Sequence, residues 1–290
     1  MSVRLAIVAD IHHGTPSATK RGDNAMGLMD EFSHYVRDAN VDQVLDLGDR
    51  ISDVDHDTDL RLEAEVAEAF RAVEKPIWHL NGNHDRDHLS VAENEQILGQ
   101  SLGHETRDIG GWRIARWPAN TRILRRPEHH RLLLHEADLL WLSRTVQAAD
   151  RPLLVVSHVP LSGHSQIGNY YFQNNPGLST YPMADRARAA LAQARVPVVC
   201  LSGHVHWNTV TTVDGIPHLT QQSLTESFTT QGSPAGAMGV IDLGETVRWD
   251  VVGKDPYRAE ITPSVRRWTP VMPDFRDHPE QRTRIPKTES

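Results

Sequence analysis

Five times in the first 206 residues a run of apolar side chains ends in a short cluster of Asp, Asn, His and Gly. Val3 to Ala9 runs into Asp10-Ile11-His12, and Gln43 to Leu47 into Gly48-Asp49-Arg50. Ile77 to Leu80 delivers Asn81-Gly82-Asn83-His84-Asp85, Leu153 to Val156 delivers Ser157-His158-Val159-Pro160, and Val196 to Leu201 delivers Gly203-His204-Val205-His206. Short continuous apolar runs suit strands buried on both faces. The intervening stretches have helical spacing. Met26, Met29, Phe32 and Val36 mark a helix from Asn24 to Ala39, and Leu60, Ala64, Ala67 and Phe70 mark another from about Asp59 to Glu74, stopped by Pro76. His135 to Leu142 opens a third and Ala184 to Ala194 forms a fourth. Strand, polar cluster, helix is the pattern of βαβ units with a largely parallel sheet, and such sheets gather ligands at the carboxyl ends of their strands.

At 290 residues, α/β chains of this kind form one or two domains. We expect one domain over 1–252, with a loop-rich cap near 161–183 that contains the Tyr170-Tyr171-Phe172 run, and a Pro-rich extended tail over 253–290. Trp112 to Trp117 and Arg122 to Leu124 read as irregular middle strands. After His206 the pattern changes to short strands at Thr209 to Val213, Met238 to Asp242 and Val247 to Val252, with antiparallel turns between. The net charge of -8 argues against nucleic acid or an anionic membrane as a partner of the whole surface. Cys200 stands alone, which excludes an intramolecular disulfide, and neither a signal peptide nor a long apolar window is evident. These features predict a cytoplasmic protein. The 17 His are the compositional oddity, since His serves both metals and proton transfer.

Carboxylate and imidazole two residues apart at a strand's end can project towards one ion, and an oxygen donor in Asn83 beside His84 and Asp85 suits the same chemistry. One such cluster is a weak signal; five in order are a strong one. Taken together, Asp10-Ile11-His12, Gly48-Asp49, Gly82-Asn83-His84-Asp85, His158 with Pro160, and Gly203-His204-Val205-His206 resemble the calcineurin-like metallophosphoesterase family, in its bacterial small-molecule phosphodiesterase branch. Leu139-Leu140-Trp141-Leu142 ahead of an apolar strand is also typical of the bacterial members.

The resemblance implies an α/β fold: a four-layer αββα sandwich of two mixed β-sheets flanked by helices, with a dinuclear metal site at the strand ends. By position, Asp10, His12 and His206 would hold one metal, Asn83, His158 and His204 the other, and Asp49 would bridge them. His84, oriented by Asp85, would stand over the substrate phosphate. Imidazole, carboxylate and amide donors fit Mn, Fe or Zn. Two divalent ions so bridged would lower the pKa of a bridging water and clamp an in-line displacement, a metal-bound hydroxide attacking phosphorus.

Two positions depart from the family pattern. Many members carry Gly-Asp-x-x-Asp in the second cluster, whereas the third position after Asp49 is Ser52; and Asn81 stands where Pro is frequent. Four further residues are candidates for substrate contact: Arg50 through its fork of donors, His13 beside His12, and His164 and Tyr170 in the cap. His129, His130 and His135 have no ligand-like setting and are assigned to surface or core.

The leading expectation is therefore a metal-dependent phosphohydrolase acting on small phosphodiesters of the cyclic nucleotide or glycerophosphodiester type. The alternatives are a phosphomonoesterase or nuclease of the same fold, and a non-catalytic metal-binding scaffold. Homo-oligomers are common in the family, and the tail is long enough to pack across such an interface.

Overall fold

The computed structural model describes residues 2–267. Two six-stranded mixed sheets pack face to face, with helices on both outer surfaces. In the first sheet β1 (Val3–Val8), β2 (Gln43–Asp46) and β3 (Ile77–His79) run parallel. On the other side of β1 the sheet continues antiparallel through β12 (Met238–Leu243), β13 (Val247–Val252) and β14 (Tyr257–Ile261). In the second sheet β5 (Trp112–Arg116), β8 (Leu153–Val156), β9 (Val198–Ser202) and β11 (Ile216–Thr220) are parallel neighbours. The edges, β4 (Glu105–Ile109) and β10 (Thr209–Val213), pair antiparallel. A separate hairpin joins β6 (Leu124–Arg126) to β7 (His129–Arg131).

The alternation of side chains along a strand builds three cores. From β1, Leu5 and Ile7 face the inner core with Leu45, Trp78, Ile114, Leu154, Leu201 and Trp249. Ala6 and Val8 face outward, under Met29, Phe32 and Val36 of α1 (Ala25–Ala39) and Leu62, Val66 and Phe70 of α2 (His56–Arg71). On the far side, Leu153, Val155, Val198 and Cys200 meet Leu139, Leu142 and Val146 of α4 (Glu136–Gln147) and Ala187, Ala190 and Leu191 of α6 (Ala184–Leu191). The order is helix, sheet, sheet, helix, and the continuous apolar strands are buried on both faces.

Several sequence expectations need correction. The C-terminal strands β12 and β13 form no sheet of their own but join the first sheet antiparallel beside β1, so that the sheets are mixed as the resemblance implies. The buried face of α2 is Leu62, Val66 and Phe70, not Leu60 and Ala64; buried Asp59 and Glu63 on that face obscure its period. The sheet also runs past the boundary at 252, since Tyr257, Ala259 and Ile261 alternate onto the inner core. Residues 268–290 of the expected tail lie outside the described residues. Unread in the sequence were the strands β4, β7, β11 and β14, the helix α3 (Val91–Leu98), although its Ser90–Glu93 capping box is visible in sequence, and α5 (Pro176–Ser179) in the cap.

Candidate metal centre

All five polar clusters sit just beyond the carboxyl ends of β1, β2, β3, β8 and β9, so the topology brings them to one rim. Two sets of donor atoms converge there and are buried: Asp10, His12, Asp49 and His206 form one, and Asp49, His158 and His204 the other. Asp49 belongs to both. Its Oδ2 lies 3.8 Å from Nε2 of His12 and 3.4 Å from Nε2 of His158, while its Oδ1 accepts the backbone N–H of His84 at 2.8 Å. Asn83 Oδ1 is 3.3 Å from Nε2 of His158, and Asp10 Oδ1 is 3.5 Å from Nε2 of His206.

The imidazoles are held from behind. His158 Nδ1 faces the carbonyl of Leu47 at 2.8 Å, His204 Nε2 that of Leu178 at 2.6 Å, and His206 Nδ1 the carboxylate of Glu226 at 2.8 Å. If these nitrogens donate, the opposite nitrogen of each ring offers a lone pair to the centre, the usual support of a metal-ligating histidine. Nε2 of His12 and Nε2 of His206 then stand 2.9 Å apart. That approach is satisfied by a proton shared between the two rings or by a cation held between two lone pairs, since no partner fixes Nδ1 of His12. The donor set thus fits divalent metal.

The backbone also carries the mark of a built site. Asp10, His12, Asp49, His204 and His206 all have positive φ, between 48° and 72°, five of nine such non-glycine residues among those described. That conformation costs energy and persists where the surroundings over-determine it. Gly82 permits the closest approach: a Cβ there would lie 2.0 Å from Asp49 Oδ1.

Burial alone would favour neutral imidazoles, but Asp49 beside His158 pushes it up to about 9, and Asp10 and Glu226 do the same for His206. Burial and the neighbouring His158 push His204 down to about 3. Although buried, Asp49 stays well below the usual carboxylate range because His158 and His84 face it.

A family model for calcineurin-like phosphoesterases matches residues 3–208. The chain belongs to the calcineurin-like phosphoesterase family. This metallophosphoesterase is therefore a hydrolase of phosphoric esters, with its metal site at the strand ends. Among solved structures it is similar to a dimetal phosphatase from Danio rerio, at 16% identity and a TM-score of 0.73, over 90% of this chain and 99% of that one. It is also similar to GAP50, the anchor in the inner membrane complex of Plasmodium, at 14% identity and a TM-score of 0.52, over 91% and 90% of the two chains. At these identities the likeness is one of fold. No curated protein matches the sequence. No helix among the described residues is long and apolar enough to cross a membrane.

Other expected site residues of this phosphoesterase divide. Tyr170 does line the cavity above the centre, about 400 Å³ in volume, with Tyr171, Phe172 and Phe228. His164 is exposed and does not line it, and His13 turns to Glu65 at 2.6 Å. Arg50 is not a substrate contact. Its guanidinium is fully buried and points inward to Glu63 at 2.6 Å, Asp46 at 3.0 Å and Asp85 at 3.4 Å. Nor does Asp85 orient His84, because its carboxylate is already taken by the backbone N–H groups of Asp49, Arg50 and Gly82.

Three residues went unread. Asp53 holds His84 through Nδ1, supplying from the fourth position after Asp49 the carboxylate that Ser52 lacks at the third. Lys20 lines the cavity with Nζ 3.4 Å from Nε2 of His84. Glu226 backs His206. Of these, only Asp53 had a signal in the sequence, an acid displaced by one residue.

Proposed function

We propose that this metallophosphoesterase uses two divalent ions, of the Mn, Fe or Zn class, to hydrolyse small phosphodiesters bearing an apolar or aromatic substituent. The observation that carries this reading is Asp49, whose one oxygen faces both donor groups beneath an aromatic-walled cavity. Asp10, His12 and His206 would hold one ion and Asn83, His158 and His204 the other, with Asp49 shared. When bound, the ions supply Lewis acidity to the phosphoryl oxygens and acidify a water.

The chain's own residues do the rest. Asp53 fixes the His84 ring so that Nε2 faces the cavity, where Lys20 stands beside it. Together the two side chains are placed to neutralise a phosphoryl oxygen and to hand a proton to the leaving oxygen. Tyr170, Tyr171, Phe172 and Phe228 exclude water on one side and offer ring faces to the ester substituent. Cytoplasmic residence belongs to the same reading, and rests on the lone Cys200.

A second reading, a phosphomonoesterase, is favoured by Lys20, since an extra cation suits the second charge of a monoester. Metal-stripped protein titrated with Mn²⁺ on bis(p-nitrophenyl) phosphate and p-nitrophenyl phosphate decides between them. Turnover that returns with metal, favours the diester and disappears in Asp49→Ala supports the proposal. Turnover of the monoester alone replaces it with the second reading.

A further inference from the structure

The carboxylate that holds His84 does not stand alone. Asp53 is in hydrogen-bond contact with a second carboxyl group, that of Asp87, and both line the cleft that adjoins the metal-centre cavity. Local geometry brings Asp87 there. His84–Arg86 forms a 3₁₀ turn, and Asp87 continues it at φ -67° and ψ -47°. Residues three apart eclipse in such a turn, so Asp87 lies on the side from which His84 meets Asp53.

Two carboxyl groups in contact oppose each other's ionisation, and without a counter-charge they turn apart. Burial and Asp53 together push Asp87 above the usual carboxylate range, whereas Asp53, despite its own burial, is held below it by His84. The counter-charge comes from Arg125, whose guanidinium takes both oxygens of Asp87, at 3.1 and 2.5 Å. Exposed ion pairs contribute little, but the Asp87 side chain is only 10% exposed and the fork is bidentate. Arg125 is itself held in place from a distance. It belongs to the β6–β7 hairpin, which is followed by buried Leu132, and the N–H of Leu132 donates to the carbonyl of Gly177 in α5 at 2.8 Å.

Four side chains thus run in a line, Arg125, Asp87, Asp53 and His84, with two acids between a guanidinium and an imidazole. We propose that Asp87 and Arg125 are positioning residues for His84. Asp87 fixes Asp53 against the imidazole, and Arg125 supplies the charge that lets the two acids touch. The proposal rests on the proton-donating role given to His84 above and extends it to the hairpin: Arg125 lines the cavity but serves the reaction through Asp87, not through the substrate.

The test is a double-mutant cycle on the Mn²⁺-loaded protein, with steady-state kinetics on bis(p-nitrophenyl) phosphate and p-nitrophenyl phosphate. Arg125→Gln is expected to lower kcat ~10-fold with KM and metal content unchanged. Asp87→Asn keeps a group that can donate to Asp53, and Asp87→Asn/Arg125→Gln should match Asp87→Asn alone, because the charge that Arg125 answers is gone. Arg125→Lys keeps the cation and should recover most of kcat. Arg126→Gln, on the opposite face of the hairpin, should change nothing. A second readout needs no turnover: the imidazole ¹⁵N resonances of His84 in Zn²⁺-loaded protein, assigned with His84→Gln, should shift in Arg125→Gln and stay in Arg126→Gln. A raised KM in Arg125→Gln, or a loss of kcat that persists at full size in the Asp87→Asn background, would make Arg125 a substrate contact and overturn the proposal. Unshifted His84 resonances would overturn it as well. Shifted resonances in a protein whose His84→Gln variant keeps its full kcat would leave the positioning standing and remove the role given to His84 instead.

Discussion

Asp53 and His84 form a carboxylate–imidazole pair, Oδ1 to Nδ1, at the edge of the metal centre. The pair fixes the ring with Nε2 towards the cavity, and His84 in turn holds Asp53 well below the ordinary carboxylate range despite its burial. Asp53→Asn keeps the shape and removes the charge. We expect kcat to fall ~10- to 100-fold with metal content unchanged, as for the loss of an outer-shell partner. Metal analysis beside steady-state kinetics checks this, and an unchanged kcat would show that the pair is structural only.

Lys20 stands 3.4 Å from Nε2 of His84, half-buried in the cavity wall. Burial lowers its pKa, against the pull of Asp49, Asp53 and Glu226. Lys20→Met should reduce kcat/KM for p-nitrophenyl phosphate ~10-fold more than for bis(p-nitrophenyl) phosphate, about 1.4 kcal/mol of differential stabilisation. The doubly charged ester has more to lose. Equal effects on both esters would mean that Lys20 does not sense phosphate charge.

The convergence of the candidate metal donors was legible in sequence because each closely follows an apolar run, so that chain order and position coincide. Asp10, His12, Asp49, Asn83, His158, His204 and His206 all fall at strand ends, where the fold brings them together. Lys20 and Glu226 were not legible, since each reaches the centre from a loop joined to it only in space. Arg50 misled for a related reason. Its position beside Asp49 suggested a phosphate contact, but the side chain turns inward to three carboxylates, two of them, Glu63 and Asp85, far away in sequence. The helical pattern was plain for α1; in α2 Glu63 of the same network and Asp59, which accepts the N–H of Val54 at 2.9 Å, sit on the apolar face and shift the apparent period.

That network has a consequence for stability. Burial raises the Glu63 carboxyl from 4.5 to about 8; Arg50 opposes the shift, and Asp85 and Asp46 add to it. A carboxyl with a raised folded-state pKa keeps its proton in the folded chain while the unfolded chain releases it. The contribution is therefore complete below about pH 4.5 and is lost as pH rises towards 8. Unfolding free energy should fall across this window by up to ~1.4 kcal/mol per pH unit from this one group. Glu63→Gln retains an acceptor for Arg50 and should flatten the decline. Urea unfolding of both proteins at several pH values between 5 and 8 tests it, and parallel curves would exclude the assignment.

Gly82→Ala places a methyl 2.0 Å from Asp49 Oδ1 and 2.4 Å from its backbone N. Neither neighbour can yield without moving the shared carboxylate. The variant should lose metal and at least ~2 kcal/mol of stability, as expected of overpacking. Circular dichroism and metal analysis read the two effects separately. Full metal content in a folded Gly82→Ala protein would mean that Asp49 tolerates displacement.

The most direct test of the account is to count and place the metal in crystals soaked with Mn²⁺, from anomalous differences. Two peaks per chain are predicted, one among Asp10, His12 and His206 and one among Asn83, His158 and His204, with Asp49 between them, and both should weaken together in Asp49→Ala. A single peak, or two that do not share Asp49, would contradict the dinuclear centre on which the proposed chemistry depends.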